Sequence, residues 1–273
     1  MSESRQWSVP ASAEHANEDA VFRSAGVAVV IDRAGLPHSM RAGCHHSVDW
    51  YSNQLAQGFG TALLDAGLTM RQALSRAIAE VSQLHDGCSL AEGSPSATVA
   101  AWRLRPHMVE YLVLCDASTI VVLADQIVEI NDDRLSVLLN EQRPFIRVGN
   151  VERSASKILE TRAEILQSSR NVDGGYWCCQ IDPVAADRAL SGTYPLSDVL
   201  GVVIATDGAT RGFQSLGIHS AEEFAIRVVA GDGVAVLDEI RAAERDQREQ
   251  LLAAAIKIHD DATVVALATT DHG

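Results

Sequence analysis

Short apolar, β-branched runs recur along the chain, most of them closed or preceded by a polar residue. Residues 27–31, 98–102, 109–114, 119–123, 199–205 and 263–268 predict strands. Residues 109–114 and 119–123 flank Cys-Asp-Ala-Ser, which predicts a hairpin. Residues 51–85 carry apolar side chains at helical spacing (Leu74, Ile78, Val81), and Gly67-Leu68-Thr69 divides them into two helices. Asp182-Pro183 ahead of residues 184–190 predicts a short helix with an aspartate cap and a proline in its first turn. Ser220-Ala-Glu-Glu predicts a capping box, with that helix ending at residues 231–233. A last helix is expected over residues 237–256, its stretch RAAERDQREQ forming a solvated face. Helices bunch together rather than alternating with strands, which favours an α+β layered fold over a doubly wound parallel sheet. No repeat or low-complexity linker divides the chain. One domain is expected over residues 1–273, with 1–12 and 270–273 flexible.

Composition narrows the function classes. Of 273 residues, 47% are apolar and 21% charged, enough for a real core. The net charge of -14 and the presence of only two lysines, Lys157 and Lys257, exclude a basic nucleic-acid face. That acidity suits a protein that offsets negative charge with bound cations. No run of about 18 apolar residues predicts a membrane span, and no basic-then-apolar leader begins the chain. Five cysteines without a C-x-x-C pair argue against a disulfide framework, and cytoplasm is the expected compartment.

The chemistry lies where the apolar runs stop. VVIDRAG ends in Asp32, YLVLCDAS in Asp116 and GVVIATDGAT in Asp207. Asp260 and Asp261 precede the last strand, and Glu18 and Asp19 precede the first. One strand-end aspartate is an ordinary turn residue. Several converging at a sheet edge repel one another unless a cation sits among them. An all-oxygen donor set suits Mg²⁺ or Mn²⁺, and a pair of such ions suits phosphoester hydrolysis by a metal-bound water. Zinc finds weak support: His45-His46 is the one tight histidine pair, and neighbours on a strand point apart. No nucleophile elbow, Walker loop or dinucleotide fingerprint is present.

The ordered series NEDA, VVIDRAG, GSPSAT, LVLCDAS, VVIATDG and HDDATVV resembles the successive motifs of the metal-dependent protein phosphatases (the PPM, or type 2C, serine/threonine phosphatases), over about residues 14 to 268. RNVDGGYW, residues 170–177, resembles a stretch of some bacterial members. The resemblance implies a four-layer α-β-β-α sandwich of two antiparallel sheets with a two-metal centre at one end. It implies that Asp32 bridges two Mn²⁺ or Mg²⁺ ions, that Glu18 binds the second, and that Asp207 and Asp260 bind the first. Asp19 would orient a metal-bound water, and Asp116 would help hold a weaker third ion. The implied activity is hydrolysis of phosphoserine or phosphothreonine by a metal-bridging hydroxide, on a phosphorylated protein substrate, with any regulatory partner supplied in trans.

The chain departs from the family pattern at several points. Arg33 stands where the family has a metal-binding glycine, so that its carbonyl would serve as the ligand. Glu14 occupies the place of a phosphate-holding arginine. Ala34 replaces the histidine often assigned as general acid, and Arg211 replaces a further aspartate, which bears on the third ion. Asp261 replaces an asparagine. Arg33 either captures the substrate phosphate or pairs with an acid such as Glu14. His38, His45 and His46 are loop histidines beside the motif, and Trp102, Tyr176 and Trp177 read as packing residues, with Ser94, Ser96 and Thr98 shaping the start of a strand. Two other readings remain: a phosphatase-fold regulatory or binding module with weak or no catalysis, and a hydrolase of small phosphoesters.

Overall fold

A computed structural model describes residues 3–14, 17–33, 41–147, 155–253 and 256–269. Among these residues, ten strands form two five-stranded antiparallel sheets. One has the order β1 (Glu3–Val9), β10 (Ala262–Ala268), β9 (Val199–Ala205), β6 (Ser118–Leu123), β7 (Ile127–Asn131). The other has the order β2 (Ala20–Ser24), β3 (Val27–Arg33), β4 (Ala97–Arg105), β5 (Met108–Leu114), β8 (Leu190–Pro195). Helices α1 (Val48–Leu63) and α2 (Met70–Gln83) cover the second sheet. Helices α5 (Asp207–Gln214), α6 (Ala221–Ala230) and α7 (Gly233–Asp246) cover the first. Helices α3 (Arg134–Arg147) and α4 (Ala155–Ser169) follow β7, and α8 (Arg248–Ala253) follows α7. This is the expected four-layer α-β-β-α sandwich.

The period-2 alternation of a strand sorts residues between the two faces of each sheet. On β3, Val27, Val29 and Ile31 meet α1 and α2, while Ala28 and Val30 face the other sheet. Both faces are covered, so the run is apolar throughout. On β9, Val202 and Ile204 face the inter-sheet seam and Val203 and Ala205 face the helices. On β10, Val265 and Leu267 face the seam. Continuing these parities to the strand ends puts Asp32, Thr98, Thr119, Thr206 and Thr263 on the seam side. All five are buried. The inter-sheet layer thus changes along its length from aliphatic side chains to threonines and then to carboxylates.

Four expectations are corrected. The first dozen residues are not all flexible: Glu3–Val9 pairs with β10 from Glu3↔Ala268 to Val9↔Ala262. This edge strand is mostly polar because one face meets solvent, and only Trp7 and Val9 pack on the core. Residues 109–114 and 119–123 do not form a hairpin. β5 pairs with β4 and β8, and β6 with β7 and β9, so the Cys-Asp-Ala-Ser connection passes from one sheet to the other. Cys115 makes that change of direction at φ 65°, its N–H donating to Asp132 Oδ2 at 3.0 Å. The last helix begins earlier, at Gly233, and is broken at Gln247 into α7 and α8. Gly233 leaves room for the Trp7 indole, which a β-carbon there would strike.

RAAERDQREQ is not wholly a solvated face either. Glu244 is fully buried and accepts from Arg211 at 2.7 Å and Arg241 at 2.8 Å, with His259 Nδ1 at 2.6 Å. The two arginines also donate to the Lys257 and Asp260 carbonyls, so this network fixes the loop that carries Asp260. Removing Glu244 strands two largely buried cations. Glu244→Ala is expected to cost about 3–5 kcal/mol in urea unfolding. Glu80→Ala, which breaks an exposed i,i+4 pair with Arg76, is expected to leave the urea midpoint essentially unchanged in the same experiment.

Candidate metal and phosphoester site

The carboxylates gather where the seam opens. Asp32 is the penultimate residue of β3, opposite Thr98 of β4. Asp207 is the first residue of α5, one residue (Thr206) after the end of β9. Gly208 permits this approach, because a β-carbon there would collide with the Asp261 carbonyl oxygen. Asp116 lies in the connection between the sheets, and Asp19 immediately precedes β2. Asp19 Oδ2 accepts from Thr206 Oγ1 at 3.2 Å, and Thr206 Oγ1 accepts from the Thr263 amide at 3.0 Å.

Each carboxylate feels the others. Burial first, then the charges of Asp19, Asp207, Asp116 and Asp260, push Asp32 well above the usual carboxylate range. Burial and the charge of Asp260 raise Asp207, against a hydrogen bond with Asp32. Asp19 is pushed up to about 7 by burial, a hydrogen bond to Thr263 opposing, with Asp261 and Asp207 adding repulsion. Asp116 is likewise pushed up to about 7 by burial and then by Asp207. Asp19 Oδ1 and Asp116 Oδ1 are buried with no hydrogen-bond partner. Orphaned anionic oxygens among like charges fit a hard divalent cation. No three of these carboxylates bring ligand oxygens within 4.8 Å of one another among the described residues.

Two expected ligands carry cationic neighbours. Glu18 meets Arg33 Nε at 2.5 Å, and Asp260 meets Lys257 Nζ at 3.1 Å through both oxygens. Arg33 therefore pairs with an acid, but that acid is Glu18, and Glu14 is exposed. Arg211 is committed to Glu244, where the motif pattern has a carboxylate for a third ion.

Asp261 carries more than its neighbour's motif suggested. It is 9% exposed and accepts from the amides of Ala11 at 2.7 Å and Glu18 at 2.9 Å, so it fixes the segment that presents Glu18 and Asp19. The sequence signal was only a second acid beside Asp260. Ser96 accepts from the buried Arg170 at 2.7 Å, which gives the RNVDGGYW stretch a packing role. Trp102, Tyr176 and Trp177 are buried. His45 and His46 sit with Cys44 and Cys88. Ala34 and His38 lie outside the described residues.

No family model and no curated protein sequence matches the chain. Solved structures do. The serine/threonine phosphatase PstP/Ppp of Mycobacterium tuberculosis superposes with a TM-score of 0.58 at 12% identity, covering 99% of each chain. PppA, a key regulatory component of T6SS in Pseudomonas aeruginosa, gives 0.57 at 16% identity over 98% of each chain. The catalytic domain of PstP in complex with two manganese ions gives 0.57 at 12% identity over 99% of each chain.

The raised carboxylates set a pH dependence. Each binds its proton more tightly in the folded chain than in the unfolded one. The stability they contribute is full below about pH 4 and is lost as pH rises through about 7. In chelator-treated protein, Asp19→Asn is expected to raise Tm at pH 8 by about 2–4 °C, with a smaller gain at pH 5. Thermal unfolding followed by circular dichroism checks this, and an unchanged or lowered Tm at pH 8 contradicts it.

Proposed function

We propose that this chain, which has the fold of the metal-dependent serine/threonine phosphatases, is a divalent-cation-dependent phosphatase acting as one domain on phosphoserine or phosphothreonine in proteins. The convergence of Asp19, Asp32, Asp116, Asp207 and Asp260, with buried oxygens left unpartnered, supports this reading most directly. Asp32, Asp207, Asp260 and Glu18, with the Arg33 carbonyl, would hold Mn²⁺ or Mg²⁺, and Asp116 would serve a weaker third ion. Such ions acidify bound water and neutralise charge on a phosphoryl group.

The chain's own residues have separable tasks. Asp19 is held by Thr206 through one oxygen, which leaves the other to accept a proton from, or orient, the attacking water. Its elevated proton affinity suits transfer near neutral pH. The Glu244 network and Asp261 hold the Asp260 and Glu18 loops in place. Arg33 would capture the substrate phosphate only after leaving Glu18.

A second reading is a regulatory or binding module with weak or no catalysis. Arg33 on Glu18 and Lys257 on Asp260 favour it, because fixed cations then balance charge that ions would otherwise balance, and Arg211 on Glu244 removes a carboxylate that the motif pattern gives to a third ion. A Mn²⁺-dependent assay on a phosphothreonine peptide and an aryl phosphate separates the readings. The phosphatase reading expects turnover of both, lost in Asp32→Asn and Asp207→Asn. No turnover by a wild type that binds Mn²⁺ supports the module, and turnover of the aryl ester alone supports a small-phosphoester hydrolase. Arg33→Ala frees Glu18, and loss of a part-exposed pair lowers the Mn²⁺ concentration for half-activity about two- to fivefold. A raised KM for both substrates in that variant would assign Arg33 to phosphate capture.

A further inference from the structure

Away from the carboxylates, two loops bring sulfur and imidazole ligands together. Cys44 and His46 lie in the segment ahead of α1, and Cys88 lies in the loop after α2. Their ligand atoms all fall within 4.8 Å of one another. Cys44 Sγ to Cys88 Sγ is 3.9 Å, Cys44 Sγ to His46 Nδ1 is 3.7 Å, and Cys88 Sγ to His46 Nδ1 is 3.4 Å. A tetrahedral zinc ion with ordinary Zn–S and Zn–N bonds has edges of about 3.8 Å between sulfurs and about 3.5 Å between sulfur and nitrogen. His45 Nδ1 is 3.2 Å from Cys88 Sγ on the exposed side.

Thiol–imidazole hydrogen bonds account poorly for this cluster. Cys88 has one thiol proton, yet it meets two imidazole nitrogens and a second sulfur. A central cation satisfies Cys44, His46 and Cys88 at once. The backbone holds the two loops together independently: Ser89 N–H donates to the Gly43 carbonyl at 2.8 Å, and a β-carbon on Gly43 would strike the Ser89 carbonyl oxygen. Each cysteine closes a short turn, Cys44 N–H donating to Arg41 and Cys88 N–H to His85. The His46 ring stacks on Trp50 at 3.9 Å and meets His85 edge-on at 5.2 Å, which fixes its orientation.

We propose that Cys44, His46 and Cys88 form a structural transition-metal site of the zinc class, with the exposed His45, which meets only Cys88, beside its fourth position. It would clamp the segment leading into α1 to the loop leading into β4, the strand that pairs with Asp32 through Thr98. Sequence spacing hid it, because the ligands lie at 44–46 and 88 rather than in a C-x-x-C ladder, and residues 41–47 form a loop rather than a strand.

Cobalt substitution reads thiolate ligation and so separates this site from the carboxylate cluster. The reduced wild-type protein is expected to take up Co²⁺ with a thiolate-to-cobalt charge-transfer band that saturates at one equivalent and is displaced by Zn²⁺. Asp32→Asn keeps the band, while Cys44→Ser and Cys88→Ser lose it. Absence of the band in reduced wild type overturns the proposal whatever the folding of the variants. So does its persistence in both cysteine variants, or a Cys44–Cys88 disulfide found by mass spectrometry in place of metal.

Discussion

Repulsion between carboxylates at the end of the inter-sheet seam is the constraint on which the rest of the site depends. Asp32 is 8% exposed and surrounded by the charges of four other aspartates. Water cannot screen such a group as it screens a surface acid. The fold answers with threonine hydroxyls and with protons held to about pH 7 on Asp19 and Asp116. Cationic side chains at the rim add to this. Divalent ions are the further remedy for which the unpartnered oxygens are suited. The charge density that would capture ions also opposes folding without them.

The scaffold exists to hold that density. Strands β3, β4, β6, β9 and β10 carry their seam-facing rows to the same edge, so residues far apart in sequence arrive together by parity. The sheet-to-sheet passage at Cys115 places Asp116 there, and the Gly208 approach places Asp207 against the 260–261 loop. Glu244 and its two arginines brace that loop from the helix side. Arg211 and Arg33, which replace a carboxylate and a glycine of the motif pattern, thus have distinct positions: Arg211 supports the loop, and Arg33 neutralises Glu18.

Much of this was legible in the sequence. The apolar runs located β3, β4, β9 and β10 because each is buried on both faces. The strand-end aspartates marked where the carboxylates converge, because charge at the end of such a run is costly without a partner. Elements with weak apolar signal escaped. β1 is an edge strand held mainly by backbone hydrogen bonds, and the passage at Cys115 imitates a hairpin, since a four-residue connection does not say which sheet its second strand joins. The burial of Glu244 was hidden by a local pattern that reads as solvated. The partners of Arg33 and Asp261 depend on contacts between segments more than 200 residues apart, or on a choice among nearby acids, which local pattern does not encode.

Equilibrium binding of Mn²⁺ measured by calorimetry in buffers of different ionisation enthalpy tests the central claim most directly. A carboxylate cluster that holds protons near pH 7 must release them when divalent ions bind. The account predicts saturable Mn²⁺ binding whose apparent enthalpy depends on the buffer at pH 7, with both binding and proton release reduced in Asp32→Asn. Absence of saturable binding, or binding and proton release unchanged by Asp32→Asn, would contradict it.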